Sequence, residues 1–222
     1  MLHSAEARWF ILEVLPDEVM GWFTAGHAID SEGVQNHEYL CFPNCESVGV
    51  KLREGRLEIK AILSAPRPLG RDLGVNGRTD QWVKWSFASE GLKTLYPGLH
   101  QSGRWLKVRK ERFLRKFSAN MGALVEITGK QRPLPGIGCD IELTRIEVEA
   151  IPQFWFSLAF EALGPPAVST TILEWAIHSF FKEHRPLPRI PLNEGNSLSY
   201  PAWLLKLTDA SPKTNDLFSY RA

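Results

Sequence analysis

The stretch Glu46–Leu63, ESVGVKLREGRLEIKAIL, alternates polar and apolar residues on both sides of a Gly-containing turn. Val48, Val50 and Leu52 share one face of a first strand, with Gly49, Lys51 and Arg53 on the other. After Glu54-Gly55, Leu57, Ile59 and Ala61 fall on one face and Arg56, Glu58 and Lys60 on the opposite one. Period-2 alternation across a short turn is the signature of a β-hairpin. The polar face is mostly cationic, with Lys51, Arg53, Arg56 and Lys60 side by side. A solvated sheet face is the simple reading. The sharper one is a face that looks into a closed barrel and holds an anion, and the rest of the chain decides between them.

An apolar-rich strand is read over Arg8–Val14, and just ahead of it Ser4, Glu6 and Arg8 recur at every second position. Asp17 is positioned to cap a short helix with Val19, Met20, Trp22 and Phe23 as its apolar side. Residues 24–35 read as a polar loop and Glu38–Phe42 as a strand. The Pro- and Gly-punctuated segment 64–79 reads as a long loop and a candidate lid. Gln81–Ala88 is a strand, and residues 90–103 hold one short helical turn at most. Trp105–Phe117 is intensely basic with interleaved apolar residues. Its register stays open, because Lys107/Arg109 and Lys110/Arg112 lie on opposite faces of any unbulged strand.

Gly122–Thr128 is a further strand, turned back by the Pro/Gly-rich 133–138 stretch. In Cys139–Val148, Asp140, Glu142 and Thr144 alternate with Ile141, Leu143 and Arg145. In Phe154–Ala162, Phe154, Phe156, Leu158 and Phe160 alternate with Trp155, Ser157, Ala159 and Glu161. Ser169 then caps a helix buried through Ile172, Leu173, Trp175, Ala176, Phe180 and Phe181, with His178 and His184 as ordinary helix histidines. A Pro-rich linker (186–191), a short closing helix in NSLSYPAWLLKL and a polar tail (209–222) complete the chain.

About eight strands arranged as hairpins, with two or three helices and no βαβ alternation, give a β-rich α+β class. Its natural form is an eight-stranded antiparallel closed barrel, a tunnel with a few covering helices. The eight Trp and twelve Phe suit a large sheet surface that helices must cover. The other face carries Lys51, Arg53, Arg56, Lys60 and Lys84 facing Glu58, Asp140, Glu142 and Glu161. A net charge of +1 argues against a DNA partner, so any cationic site is local. Three cysteines, no signal peptide and no membrane-length apolar run lead us to expect a reduced, cytoplasmic protein without a membrane partner. Cys41 and Cys45 read as small buried apolar residues.

Cations a few ångströms apart repel by roughly 1 kcal/mol per pair in water, and by several times that where solvent is partly excluded. Four on adjacent strands need carboxylates or an anion for company, and a polyphosphate matches best because its charges lie along a line. Carboxylates in the same lumen would suit a hard divalent cation that bridges phosphate oxygens and orients a water. No Gly-rich phosphate loop, Ser-His-Asp set or dinucleotide fingerprint is present.

Over most of residues 4–206 this ordered series resembles the CYTH superfamily of triphosphate tunnel metalloenzymes. The family's opening E-x-E-x-K strand resembles Ser4-Ala5-Glu6-Ala7-Arg8, and its basic hairpin resembles Lys51-Leu52-Arg53 followed by Leu57-Glu58-Ile59-Lys60. Its later K-x-R strand resembles Lys110-Glu111-Arg112, with Lys107 and Arg109 as the rival alignment. Its acidic strands resemble Asp140-Ile141-Glu142 and Ala159-Phe160-Glu161, and Ser199-Tyr200 precedes the closing helix in a familiar way.

The resemblance implies one tunnel domain over residues 1–208 that uses Mg2+ or Mn2+ to cleave a phosphoanhydride of a small phosphorylated anion. Glu6, Glu142 and Glu161 would be the catalytic and metal-holding carboxylates. Arg8, Lys51, Arg53, Lys60, Lys110 and Arg112 would grip the phosphates, in a monomer or homodimer. The chain departs from the pattern at Ser4, Arg8 and Ala159, two of which remove a carboxylate. A non-catalytic tunnel that binds a polyphosphate or nucleotide is the alternative these departures favour.

Overall fold

The computed structural model describes residues 1–12, 15–25, 29, 31–69, 74–88, 105–120, 123–127, 136–149 and 151–210. Along the chain run β1 (Leu2–Leu12), α1 (Asp17–Thr24), β2 (Ser31–Leu40), β3 (Val48–Arg53) and β4 (Arg56–Ile62). Then come β5 (Arg67–Pro68), β6 (Arg78–Ala88), β7 (Trp105–Asn120), β8 (Ala123–Ile127), β9 (Gly138–Val148) and β10 (Ile151–Leu163). α2 (Pro166–Glu183), a 3-10 turn (Glu194–Asn196) and α3 (Tyr200–Ala210) end it. Eight strands close into an antiparallel barrel in the order β1-β10-β9-β7-β2-β3-β4-β6, with β6 pairing back to β1. β5 and β8 hang on β6 and β7 outside that ring.

The hairpin that opens the sequence reading is β3–β4, joined by Glu54-Gly55 with Arg53 opposite Arg56. Both turn residues have positive φ, 49° and 76°, the twist that lets a two-residue connection match two right-twisted strands. Closure gives every strand an inner and an outer face. The outer faces of β1, β9 and β10 carry Ala5, Ala7, Trp9, Ile141, Leu143, Leu158 and Phe160. α1 and α2 cover them with Val19, Phe23, Ile172, Leu173, Ile177, Phe180 and Phe181. Trp9 sits at the centre, edge-on to Phe160 and Phe181.

The inner face divides along the barrel axis. Towards one end it is hydrocarbon: Phe10, Tyr39, Cys41, Val108, Ile146 and Trp155 pack with Trp203, Leu204 and Leu207 of α3. Phe10 stacks on Trp203 at 4.3 Å. α3 therefore closes that end. The other half of the lumen is charged.

Several local expectations change. β2 starts at Ser31, within the segment read as a loop; its polar residues pair with β7 across a bulge at Gly33, where φ is 78°. β1 runs from Leu2, taking in the Ser4-Glu6-Arg8 series as one strand. Neither Asp17 nor Ser169 is a cap: Pro16 and Pro165 precede the helices and no side chain caps them. Prolines suit that edge because the first helical turn has no use for their missing N–H. Cys41 is buried, whereas Cys45 is half-buried beside Ser47. In the described parts of 64–79, Leu69 and Val75 are buried in the outer core and none of the residues lines the lumen. Leu69 and Val75 thus anchor the described parts of that segment to the outer wall, while residues 65–68 are exposed. The helical turn expected in 90–103, most of the turn at 133–138 and the tail beyond 210 lie outside the described residues.

Candidate functional site: a cationic lumen

The charged half of the lumen is a cavity of about 160 Å3, on the scale of one that holds a small organic molecule (about 150 Å3 takes a benzene). All nine residues singled out from the sequence line it: Glu6, Arg8, Lys51, Arg53, Lys60, Lys110, Arg112, Glu142 and Glu161. Strand pairing resolves the open register of β7. Lys110 and Arg112 face inward, while Lys107 and Arg109 lie outside and pair with Glu149 and Glu147. Lys84 and Glu58 also line the cavity, as their faces imply. Arg56 and Asp140 do not. Arg56 ends its strand at the rim, exposed and donating to Ser86 Oγ, and Asp140 shares the Glu142 face but lies beyond the cavity.

Seven basic side chains share this space with four carboxylates. The carboxylates are distributed among the cations as buried ion pairs. Glu58 meets Lys51 at 2.9 Å, Lys84 at 3.1 Å and Arg53 at 3.6 Å. Glu142 takes Arg112 at 2.8 Å and Arg8 at 3.3 Å, and Arg8 also donates to Ser157 Oγ. Lys60 bonds Glu6 and reaches Glu161 at 3.5 Å. Arg112 further donates from Nε to Glu32 at the mouth.

Burial opposes every one of these charges, and the partners decide the outcome. For Glu58 burial is outweighed by Lys51 and Lys84, which hold its carboxyl at about 2. For Glu142 burial is outweighed by Arg112 and Arg8, again to about 2. Glu161 goes the other way: burial raises it, and Glu6 and Glu142 add to the rise. Lys51 falls to about 8 through burial and the crowding of Lys84 and Lys60, despite Glu58.

Lys110 differs from its companions. Among the described residues it is the one cavity cation with no carboxylate at ion-pair distance. Its Nζ donates to Tyr39 Oη at 2.6 Å and lies 3.7 Å from the centroid of the Tyr200 ring, which stacks on Tyr39. Burial, then Lys51 and Arg8, push its ammonium well below the ordinary lysine value.

Neutral groups complete the lining. His37 bridges Gln35 Oε1 and Tyr39 Oη, and burial together with Lys110 and Lys51 lowers it to about 2, so it stays uncharged. Among the described residues, Arg53 Nε, Thr144 Oγ1 and Tyr200 Oη are buried without a hydrogen-bond partner. Such donors are unfavourable by about 1–3 kcal/mol each unless a guest accepts from them. Tyr39 and His37 were not singled out from the sequence, and Thr144 and Tyr200 were named there without a role in the site. Inward alternation along β2 and β9 marks the first three, but nothing local marks Tyr200, which arrives on a helix.

The carboxylates do not present a ready metal site. Glu6, Glu142 and Glu161 are each engaged by Lys or Arg, and among the described residues no three His, Cys, Asp or Glu side chains gather as a metal set. Glu6 and Glu161 do stand opposite each other across β1–β10.

No protein-family model and no curated protein matches this chain. Solved structures resemble it weakly. A protein of Pyrococcus furiosus is 12% identical, with 92% of this chain and 99% of that one covered and a TM-score of 0.43. The PH1012 protein of Pyrococcus horikoshii is 14% identical, with 86% and 93% covered and a TM-score of 0.39. A candidate adenylate cyclase of Bacillus halodurans is 12% identical, with 85% and 95% covered and a TM-score of 0.41. These values carry no functional argument. No helix among the described residues is long and apolar enough to cross a membrane.

Proposed function

We propose that this chain is a divergent CYTH-like tunnel protein whose lumen binds a small polyphosphorylated anion. The observation that carries this is the excess of basic side chains over carboxylates in one cavity, seven against four and still six against four with Lys110 uncharged. A polyanion relieves the repulsion of the surplus charges and accepts from the unpartnered Arg53, Thr144 and Tyr200 donors. Arg8, Lys51, Arg53, Lys60 and Arg112 grip the phosphates, with the Lys110 amine beside them. Because the carboxylates are already committed to cations, binding requires no divalent metal.

Thermal melting with inorganic triphosphate in EDTA tests this. At a hundredfold excess over Kd the gain is about 2.7 kcal/mol, which raises Tm by about 5–10 °C for a chain of this size. No rise in either EDTA or Mg2+ rejects the proposal.

A second reading rests on the opposed Glu6 and Glu161, which share the single Lys60 and leave Glu161 raised. If Mg2+ or Mn2+ displaces Lys60, Glu6, Glu161 and Glu142 become metal ligands and the protein is a phosphohydrolase, as the family resemblance implies. Phosphate release from triphosphates that depends on added Mg2+ or Mn2+, and is lost in Glu6→Gln, distinguishes it from binding alone.

A further inference from the structure

We propose that the ε-amine of Lys110 is a nucleophile that captures the carbonyl carbon of a small phosphorylated aldehyde as an imine. The inference rests on the anion-binding lumen and names a ligand class for it. Six cavity cations each meet a carboxylate at ion-pair distance, whereas Lys110 meets a hydroxyl and two aromatic faces. The cavity places Arg8 of β1, Lys51 of β3 and Arg112 of β7 on the same lining, and the nearest balancing carboxylate, Glu142 of β9, is bonded to Arg8 and Arg112. Tyr39 and His37 of β2 and Tyr200 of α3 add no negative charge.

Burial and the flanking Arg8, Lys51 and Arg112 favour the uncharged amine with its lone pair, the condition under which desolvated or cation-flanked lysines attack carbonyls. The downward shift of Lys110 agrees with this geometry. The same neighbours that discharge the amine attract the ligand's phosphate, so the carbonyl is delivered to Nζ.

The chemistry balances without an oxidant. The Nζ lone pair adds to the carbonyl carbon, and the carbonyl π pair moves onto oxygen. One N–H hydrogen passes to that oxygen, and the Tyr39 hydroxyl, hydrogen-bonded to Nζ, is placed to relay it. The carbinolamine then loses its hydroxyl with the second N–H hydrogen as water, leaving the C=N bond.

The test uses glycolaldehyde phosphate, with glycolaldehyde as the uncharged control, followed by cyanoborohydride and peptide mass spectrometry. At neutral pH the reduced adduct is expected on Lys110 more than about tenfold faster than on any other lysine, slower with glycolaldehyde, and suppressed by inorganic triphosphate. Lys110→Arg is expected to lose the adduct. Adducts spread evenly over Lys51, Lys60, Lys84 and surface lysines overturn the inference, as does equal labelling by the two aldehydes. Mapping on the unaltered protein gives the answer even if the variant misfolds. If triphosphate raises Tm but Lys110 stays unlabelled, the anion site stands and this inference falls. If triphosphate does not raise Tm, the underlying proposal fails instead.

Discussion

Glu58→Gln removes one oxygen charge and nearly no volume, and the structure says what that does. Glu58 is 3% exposed and ion-paired to three cations, at 2.9, 3.1 and 3.6 Å. At the effective dielectric that suits protein sites, about 20, each of the two shorter contacts corresponds to about 5 kcal/mol of attraction before desolvation is subtracted. Losing one partner of a buried pair is typically unfavourable by about 3–5 kcal/mol, because its companions stay charged and uncompensated. For a chain of this size that lowers Tm by about 6–20 °C. The variant keeps the same basic side chains with one carboxylate fewer, so inorganic triphosphate should raise the variant's Tm further than it raises the parent's. Differential scanning fluorimetry with a triphosphate titration reads both effects. A variant that melts within about 2 °C of the parent, with no larger response to triphosphate, would show that Lys51, Arg53 and Lys84 do not crowd one another and would refute the reasoning.

Arg112→Ala should weaken triphosphate binding about tenfold or more, the effect of one charge-assisted bond, while Arg109→Ala on the outer face leaves it unchanged; calorimetric titration compares them. Gly77→Ala would put a Cβ 2.8 Å from Ser197 Oγ and 2.9 Å from the buried Trp9 ring, an overpacking expected to lower stability by about 1–3 kcal/mol in urea melts. Glu58 and Glu142 have folded values of about 2 against an ordinary 4.5. Their contribution to stability is complete above the ordinary value and disappears as pH falls from 4.5 towards 2, so urea midpoints measured across that window should drop.

The faces of β3 and β4 were legible because their apolar and polar residues alternate without a break, and a barrel needs nothing more to turn Lys51, Arg53, Glu58 and Lys60 inward. β7 was not legible in register, since both its faces are basic. What separates Lys107 and Arg109 from Lys110 and Arg112 is the strand opposite, which offers Glu147 outside and Glu142 inside. The start of β2 was hidden because an inward face in a charged lumen and an outward face in solvent are both polar, which imitates a loop. The carboxylates were placed correctly in the lumen, but a sequence cannot show that Lys60, Arg8 and Arg112 occupy them. Tyr200 reaches the cavity through a helix packed across the barrel, a contact no local pattern encodes.

Among the described residues, that packing closes one end of the barrel. Phe10, Val108, Ile146 and Trp203 fill that end, so on the proposed reading a guest would not pass through it. If the lumen binds phosphate as proposed, an extended polymer would offer only its terminus, which would favour chain ends and compact molecules as guests.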